Sequence, residues 1–142
     1  MSIGQAQAEL LDEFSIFDNW MDRYQYIIDM GRQLPEYPEQ DKVAKYKIEG
    51  CQSNVWLRAT EEAGRLRFRA TSDAAIVSGL IAILMRIYDD REPDEILNGE
   101  PRFLAELGLD KHLSPTRSNG LHAMIESIYA IAREARDSRA VH

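Results

Sequence analysis

The chemistry open to this chain turns on one cysteine. Cys51 stands in Glu49-Gly50-Cys51-Gln52-Ser53-Asn54-Val55-Trp56-Leu57 and is the only thiol in 142 residues. One thiol forms no internal disulfide and no Cys-x-x-Cys redox pair, which fits a reducing compartment. Structural zinc sites of the four-cysteine or two-cysteine, two-histidine kind are excluded as well. An iron–sulfur cluster takes about four cysteine ligands, whereas the soft ligands here are Cys51, His112, His122 and the terminal His142. No resident metal or cluster is expected. What remains for Cys51 is to attack, to carry a group, or to pack.

Packing is the plain alternative, because free cysteine ranks among the most buried residue types. Against it, Cys51 falls in a polar connecting stretch between segments fit for a sheet, Tyr46 and Ile48 before it and Val55 and Trp56 after it. Gly50 leaves the backbone free to turn sharply beside it. Reactivity requires the thiolate, which at an ordinary pKa of ~8.5 is only a few per cent of the thiol at neutral pH. Lys45, Lys47 and Arg58 would raise that fraction and Glu49 would lower it. A hydrolase or transferase would need a base such as His112 within hydrogen-bond reach of the thiol. A non-catalytic adaptor would need no chemistry from Cys51. These alternatives stay open on local sequence alone.

The elements that must position the loop follow from periodicity. Residues 5–15 read as a short helix. Trp20, Tyr24, Ile27, Gly31 and Leu34 share one face of a second, from Asp18 as N-cap to about Gln33, closed by Pro35 and Pro38. The period then drops to two. Residues 44–48, then Val55, Leu57 and Ala59, then Leu66, Phe68 and Ala70 between Arg65, Arg67 and Arg69 suggest a three-stranded antiparallel meander with Cys51 in its first hairpin loop. Residues 73–89 are apolar around most of a helix and should be central, capped by Ser72 or Asp73. Residues 93–113 form short helical turns. Ser114-Pro115 opens a last helix with the face Leu121, Ile125, Ile128, Ala132 and Ala135. The sum is an α+β fold, a small three-stranded antiparallel sheet covered by helices on one side. Residues 1–142 suit one domain, burying about two thirds of the surface of the unfolded chain.

Seventeen basic and 24 acidic side chains give a net charge of −7, which works against nonspecific binding to nucleic acid or to an anionic membrane. The first residues have neither a basic nor an apolar region of a signal sequence. The longest uncharged stretch, Ala74 to Met85, is 12 residues, against the roughly 20 of a membrane span. The expected location is the cytoplasm.

Gly50-Cys51-Gln52-Ser53-Asn54-Val55-Trp56-Leu57 resembles the Gly-Cys-Gln-Ser-x-Val-Trp signature of the SufE family, sulfur-acceptor proteins that work with cysteine desulfurases. Ser72-Asp73-Ala74-Ala75-Ile76-Val77-x-Gly79-Leu80 and Leu113-Ser114-Pro115-Thr116-Arg117-Ser118-x-Gly120-Leu121 agree with that family too. So do Asn19-Trp20 and Tyr26-Ile27-Ile28-Asp29-x-Gly31-x-x-Leu34-Pro35, so the resemblance runs from about residue 10 to 135. It implies a SufE/IscU-like fold and a persulfide carrier. Cys51 would take the outer sulfur from the persulfide of a desulfurase of the SufS type, stimulate that enzyme, and pass sulfur to a scaffold assembling iron–sulfur clusters. Pyridoxal phosphate belongs to the desulfurase, so no cofactor is expected on this chain. From their own chemistry, Gln52 and Ser53 are candidates to hydrogen-bond the loop backbone or a persulfide, beside the turn at Gly50. The resemblance adds that Asp73, read as a helix cap, also sets the loop, and that Arg117 is near the thiol or at the desulfurase interface. Trp56 either shields the thiol or fills the core, with the core expected, and the resting thiol is expected in an apolar pocket that protects a persulfide from oxidation.

Overall fold

The computed structural model describes residues 2–141; His142, one of the soft ligands considered above, lies outside the described residues. Helix α1, Ile3–Phe14, starts at a capping box. The Ser2 hydroxyl accepts from the Gln5 amide at 3.1 Å, and the Gln5 side chain accepts from the Ser2 amide at 2.8 Å, which satisfies two otherwise free donors. Helix α2, Trp20–Gly31, is capped by Asn19 rather than Asp18. Asn19 directly precedes the first helical residue, and its Oδ1 accepts from the Asp22 amide at 2.9 Å; Asp18 is one residue too far out.

The sheet has two strands, not three. Strands β1, Val55–Glu62, and β2, Arg65–Ser72, pair antiparallel in a register running from Val55 opposite Ser72 to Glu62 opposite Arg65. Residues 44–46 close a 3-10 turn instead of extending. The amides of Tyr46 and Lys47 donate back to the carbonyls of Val43 and Ala44 at 3.1 and 3.2 Å, so they are lost to a ladder. Only a Lys47–Trp56 bridge and an Ile48 amide to Val55 carbonyl bond of 2.9 Å remain of the expected strand. The period-two polarity of this stretch reflects the burial of Ile48 alone.

Val55, Leu57, Leu66, Phe68 and Ala70 are buried on the inner sheet face, while Arg65, Arg67 and Arg69 alternate outward. Helix α3, Ala75–Tyr88, carries eight buried residues and packs between that face and α2. It crosses α2 so closely that a Cβ on Gly79 would lie 2.2 Å from the Ile27 carbonyl oxygen, and one on Gly31 would lie 2.5 Å from the Gly79 nitrogen. Helices α4, Pro93–Asn98, α5, Phe103–Glu106, and α6, Leu109–His112, wrap the other end. Helix α7, Pro115–Val141, packs Leu121, Met124, Ile125, Ile128 and Ala132 onto the core. The architecture is α+β, with the thiol loop hung between Ile48 and β1 and facing the start of α7.

Candidate functional site around Cys51

Gly50 has φ +89°, a left-handed conformation that glycine adopts without steric cost, and this turn sends the next residue inward. Cys51 is half-buried. Its Sγ donates to the carbonyl oxygen of Gly120, in the second turn of α7, across 3.7 Å. A Cβ at Gly120 would stand 3.6 Å from Sγ, so the thiol rests against bare helix backbone. Burial pushes the Cys51 pKa above its ordinary value, because a desolvated thiolate is costly. The seat therefore favours the thiol over the thiolate.

The thiol lines a cavity of about 360 Å³ together with Gln52, Ser53, Ile76, Val77, Leu121 and Met124. The start of α7 completes its polar rim through Ser114, Thr116 and Arg117. Ser114 accepts the Arg117 amide at 3.3 Å as the helix cap. The Arg117 side chain is exposed and has no carboxylate partner among the described residues. A cation is usually unfavourable at a helix N-terminus, where the backbone already carries partial positive charge. The rim is therefore electropositive.

Asp73 does not cap α3. The N-cap position belongs to Ala74, without a side-chain bond, and the Ser72 hydroxyl accepts from the Ala74 amide at 3.2 Å. The Asp73 carboxylate is directed across the sheet end to the thiol loop. It accepts from the Asn54 amide at 3.1 Å and from Asn54 Nδ2 at 2.9 Å. The Asp73 amide returns a longer bond of 3.4 Å to the Asn54 carbonyl. Asn54 is thus clasped three residues after the thiol.

A family model described as SufE, the Fe-S metabolism associated domain, matches residues 8–132. This chain belongs to the SufE family. A solved structure titled as the solution structure of a hypothetical protein from Thermus thermophilus shares its fold, with a TM-score of 0.76 and 22% identity. That match covers 93% of this chain and 96% of the other. The family places the chain in iron–sulfur metabolism.

In this SufE-family chain the structure gathers Cys51, Gln52, Ser53 and Arg117 on one cavity, with Gly50 turning the loop and Asp73 holding its far end. It does not bring in the others. The His112 ring stacks on Trp20 at 4.1 Å between centroids, and its carbonyl accepts from the Tyr24 hydroxyl; it is absent from the cavity lining, as is His122. Trp56 is not in the core: it stands half-buried on the outer sheet face, with the Lys42 ammonium 5.9 Å from its ring. Val55 and Leu57 point inward, so the alternation of a strand sends Trp56 out. Asn54 and Gly120 were missed as site residues. Gly120 meets the sulfur through its backbone carbonyl, which its residue type does not signal, since a Cβ there would make only an ordinary contact at 3.6 Å. Asn54 carried no signal either.

Among the described residues no cluster of histidine, cysteine and carboxylate side chains is arranged to hold a metal, and no helix is long and apolar enough to cross a membrane.

Proposed function

We propose that this chain accepts sulfur on Cys51 from the persulfide of a cysteine desulfurase and delivers it for iron–sulfur cluster assembly. The observation that carries the reading is the lone thiol seated on Gly120, inside a cavity large enough for a second sulfur and rimmed by Arg117. Cys51 attacks the outer sulfur of the donor's Cys–S–SH. A new S–S bond forms on Cys51, the donor's S–S bond breaks, and the donor thiolate leaves and takes up the proton given up by Cys51. No electrons are gained or lost overall. Such exchange is favoured by a thiolate nucleophile and a good leaving thiolate. The resting seat disfavours that thiolate, so the loop must turn outward on docking, where the donor's active site supplies the activation. Asp73 and Asn54 set how readily it turns. Arg117, whose side chain has no carboxylate partner among the described residues, stabilises an anionic sulfur or contacts the donor. The pyridoxal phosphate that releases sulfur from free cysteine resides on a desulfurase of the SufS type, and a cytoplasmic scaffold receives the product. Removing the persulfide from the donor frees it for another turnover, which is the origin of stimulation.

The test is mass spectrometry of Cys51 after incubation with desulfurase, cysteine and pyridoxal phosphate, where an adduct of one sulfur atom is expected. Cys51→Ser should bind the desulfurase yet lose stimulation of sulfide release. Full stimulation by the serine variant would turn the chain into an adaptor and sink the acceptor reading. A Cys–His hydrolase has no geometric support, since the His112 ring is engaged with Trp20.

A further inference from the structure

The outer face of the sheet runs against the charge of the whole molecule. Against a net charge of −7, the stretch from Lys42 to Arg69 holds seven of the 17 basic side chains and three of the 24 acidic ones. The register places Arg58 directly opposite Arg69 and Thr60 opposite Arg67. The bridge from Lys47 to Trp56 sets Lys47 in the row nearest the thiol loop. Alternation puts all of these on the face away from Val55 and Leu57.

Part of this charge is neutralised: Arg58 pairs with Asp41, Lys42 with Glu39, and Arg67 lies 3.6 Å from Asp89 and 3.8 Å from Glu62. Lys45, Lys47, Arg65 and Arg69 have no carboxylate partner among the described residues. Like charges directly opposite each other on a sheet are destabilising, so the Arg58–Arg69 pair is a cost to the free protein. Aromatic rings hold the cations in place, with Lys45 5.3 Å and Arg58 6.0 Å from the Tyr46 ring. The result is a basic platform that starts at Lys47 and Trp56, the residues that flank the Cys51 loop.

We propose that this face docks an acidic surface on the persulfide donor and steers it onto the loop. The proposal rests on the acceptor reading of Cys51. A protein that takes the loop into its active site also comes to lie over the adjacent end of the sheet, and opposite charge there speeds encounter and fixes register. A nucleic acid is disfavoured as the occupant by the net charge of the chain.

The test is the charge-reversed pair Lys47→Glu with Arg69→Glu, measured by direct titration of fluorescently labelled protein with desulfurase. The reversal at position 69 places a carboxylate opposite Arg58, so the thermal midpoint should hold or rise, and weakened docking is then not unfolding. The expected result is a dissociation constant about tenfold higher at low ionic strength, with a weaker salt dependence than the wild type. The same reversal at Arg133, exposed on α7, should leave the dissociation constant near the wild-type value. A variant pair that binds with wild-type affinity and salt dependence overturns the proposal. So does a labelled single-stranded oligonucleotide that binds wild type but not the pair, while desulfurase affinity stays level. Persulfide on Cys51 is read separately by mass spectrometry. Its absence alongside charge-dependent docking would remove the acceptor reading and keep the docking face, and its presence alongside unchanged docking would do the reverse. A wild type that fails to bind the desulfurase overturns both.

Discussion

Removing the Asp73 carboxylate tests how the thiol loop is held. In Asp73→Ala, Asn54 loses a bond of 3.1 Å from its amide and one of 2.9 Å from its side chain. Hydrogen bonds to a charged group contribute about 1.5–3 kcal/mol each in protected settings. Asp73 and Asn54 are both exposed, so water replaces much of what is lost, and about 1–2 kcal/mol for the pair is a reasonable magnitude. If the loop must open before the thiol is reached, that free energy becomes a rate: about 5- to 30-fold faster alkylation of Cys51, since ~1.4 kcal/mol is a factor of ten. The assay is the pseudo-first-order rate of iodoacetamide labelling in the folded protein, normalised to the rate in denaturant. Asp73→Asn sharpens it. Asparagine keeps one acceptor for the Asn54 amide but presents an amide donor to Asn54 Nδ2, so its rate should fall between wild type and alanine. Wild-type labelling in Asp73→Ala, with the thermal midpoint unchanged, would refute the clasp as the element that holds the loop.

Other expectations follow from the same geometry. Gly79→Ala should destabilise by about 3 kcal/mol or more, read as a lower thermal midpoint, even though alanine favours helix over glycine by about 1 kcal/mol; the added Cβ would meet the Ile27 carbonyl oxygen at 2.2 Å. Glu13 is held below the usual carboxylate range by its hydrogen bonds from Arg86, partly offset by burial. Its contribution is therefore present above the ordinary pKa of ~4.3 and lost as pH falls through the depressed folded value. Urea denaturation should find Glu13→Gln less stable than wild type at pH 7, with the gap closing in acid. For Cys51, burial raises the pKa, so the seat favours the thiol below the ordinary ~8.5 and loses that preference as pH rises through the folded value. The rate–pH profile of alkylation should have a higher midpoint in the folded protein than in denaturant, and coincident midpoints would count against an inward resting thiol.

Helices were the most legible part of the fold, because their apolar spacing repeats over many residues. The central helix around Leu80–Ile87 is buried on almost every side, as its composition demands. Residues 44–48 form no strand because five residues of alternation do not distinguish a ladder from a turn that buries one side chain, here Ile48. Trp56 lies outside the core because register outweighs hydrophobicity: once Val55 is inside, its neighbour must face out. At the site, Cys51 was legible from type and context, but what surrounds it was not. Gly120 is 69 residues away in sequence, and only the tertiary fold brings its carbonyl to the sulfur. For Asp73 the local capping rule fails, while the loop role implied by the family resemblance agrees with its bonds to Asn54, 19 residues upstream.

The two glycines of the α2–α3 crossing and the Cys51 seat separate packing from chemistry within one set of motifs. Gly31 and Gly79 let two helices touch at the backbone, and neither is among the residues that line the thiol cavity. At Gly120 an added Cβ would make only an ordinary contact with Cys51 Sγ at 3.6 Å, so that glycine marks the seat of the thiol without being forced by a backbone crossing. That arrangement ties shelter to low nucleophilicity, for the burial that covers Cys51 also raises its pKa and favours the thiol. Under the proposed acceptor reading, Cys51 gains reactivity only by leaving this seat. Activation then coincides with docking, and a free thiolate is not exposed to oxidants between encounters. Any change that makes Cys51 more reactive in the isolated protein should therefore also shorten the lifetime of its persulfide in air, and a variant that raised the first without the second would separate the two roles of the cavity.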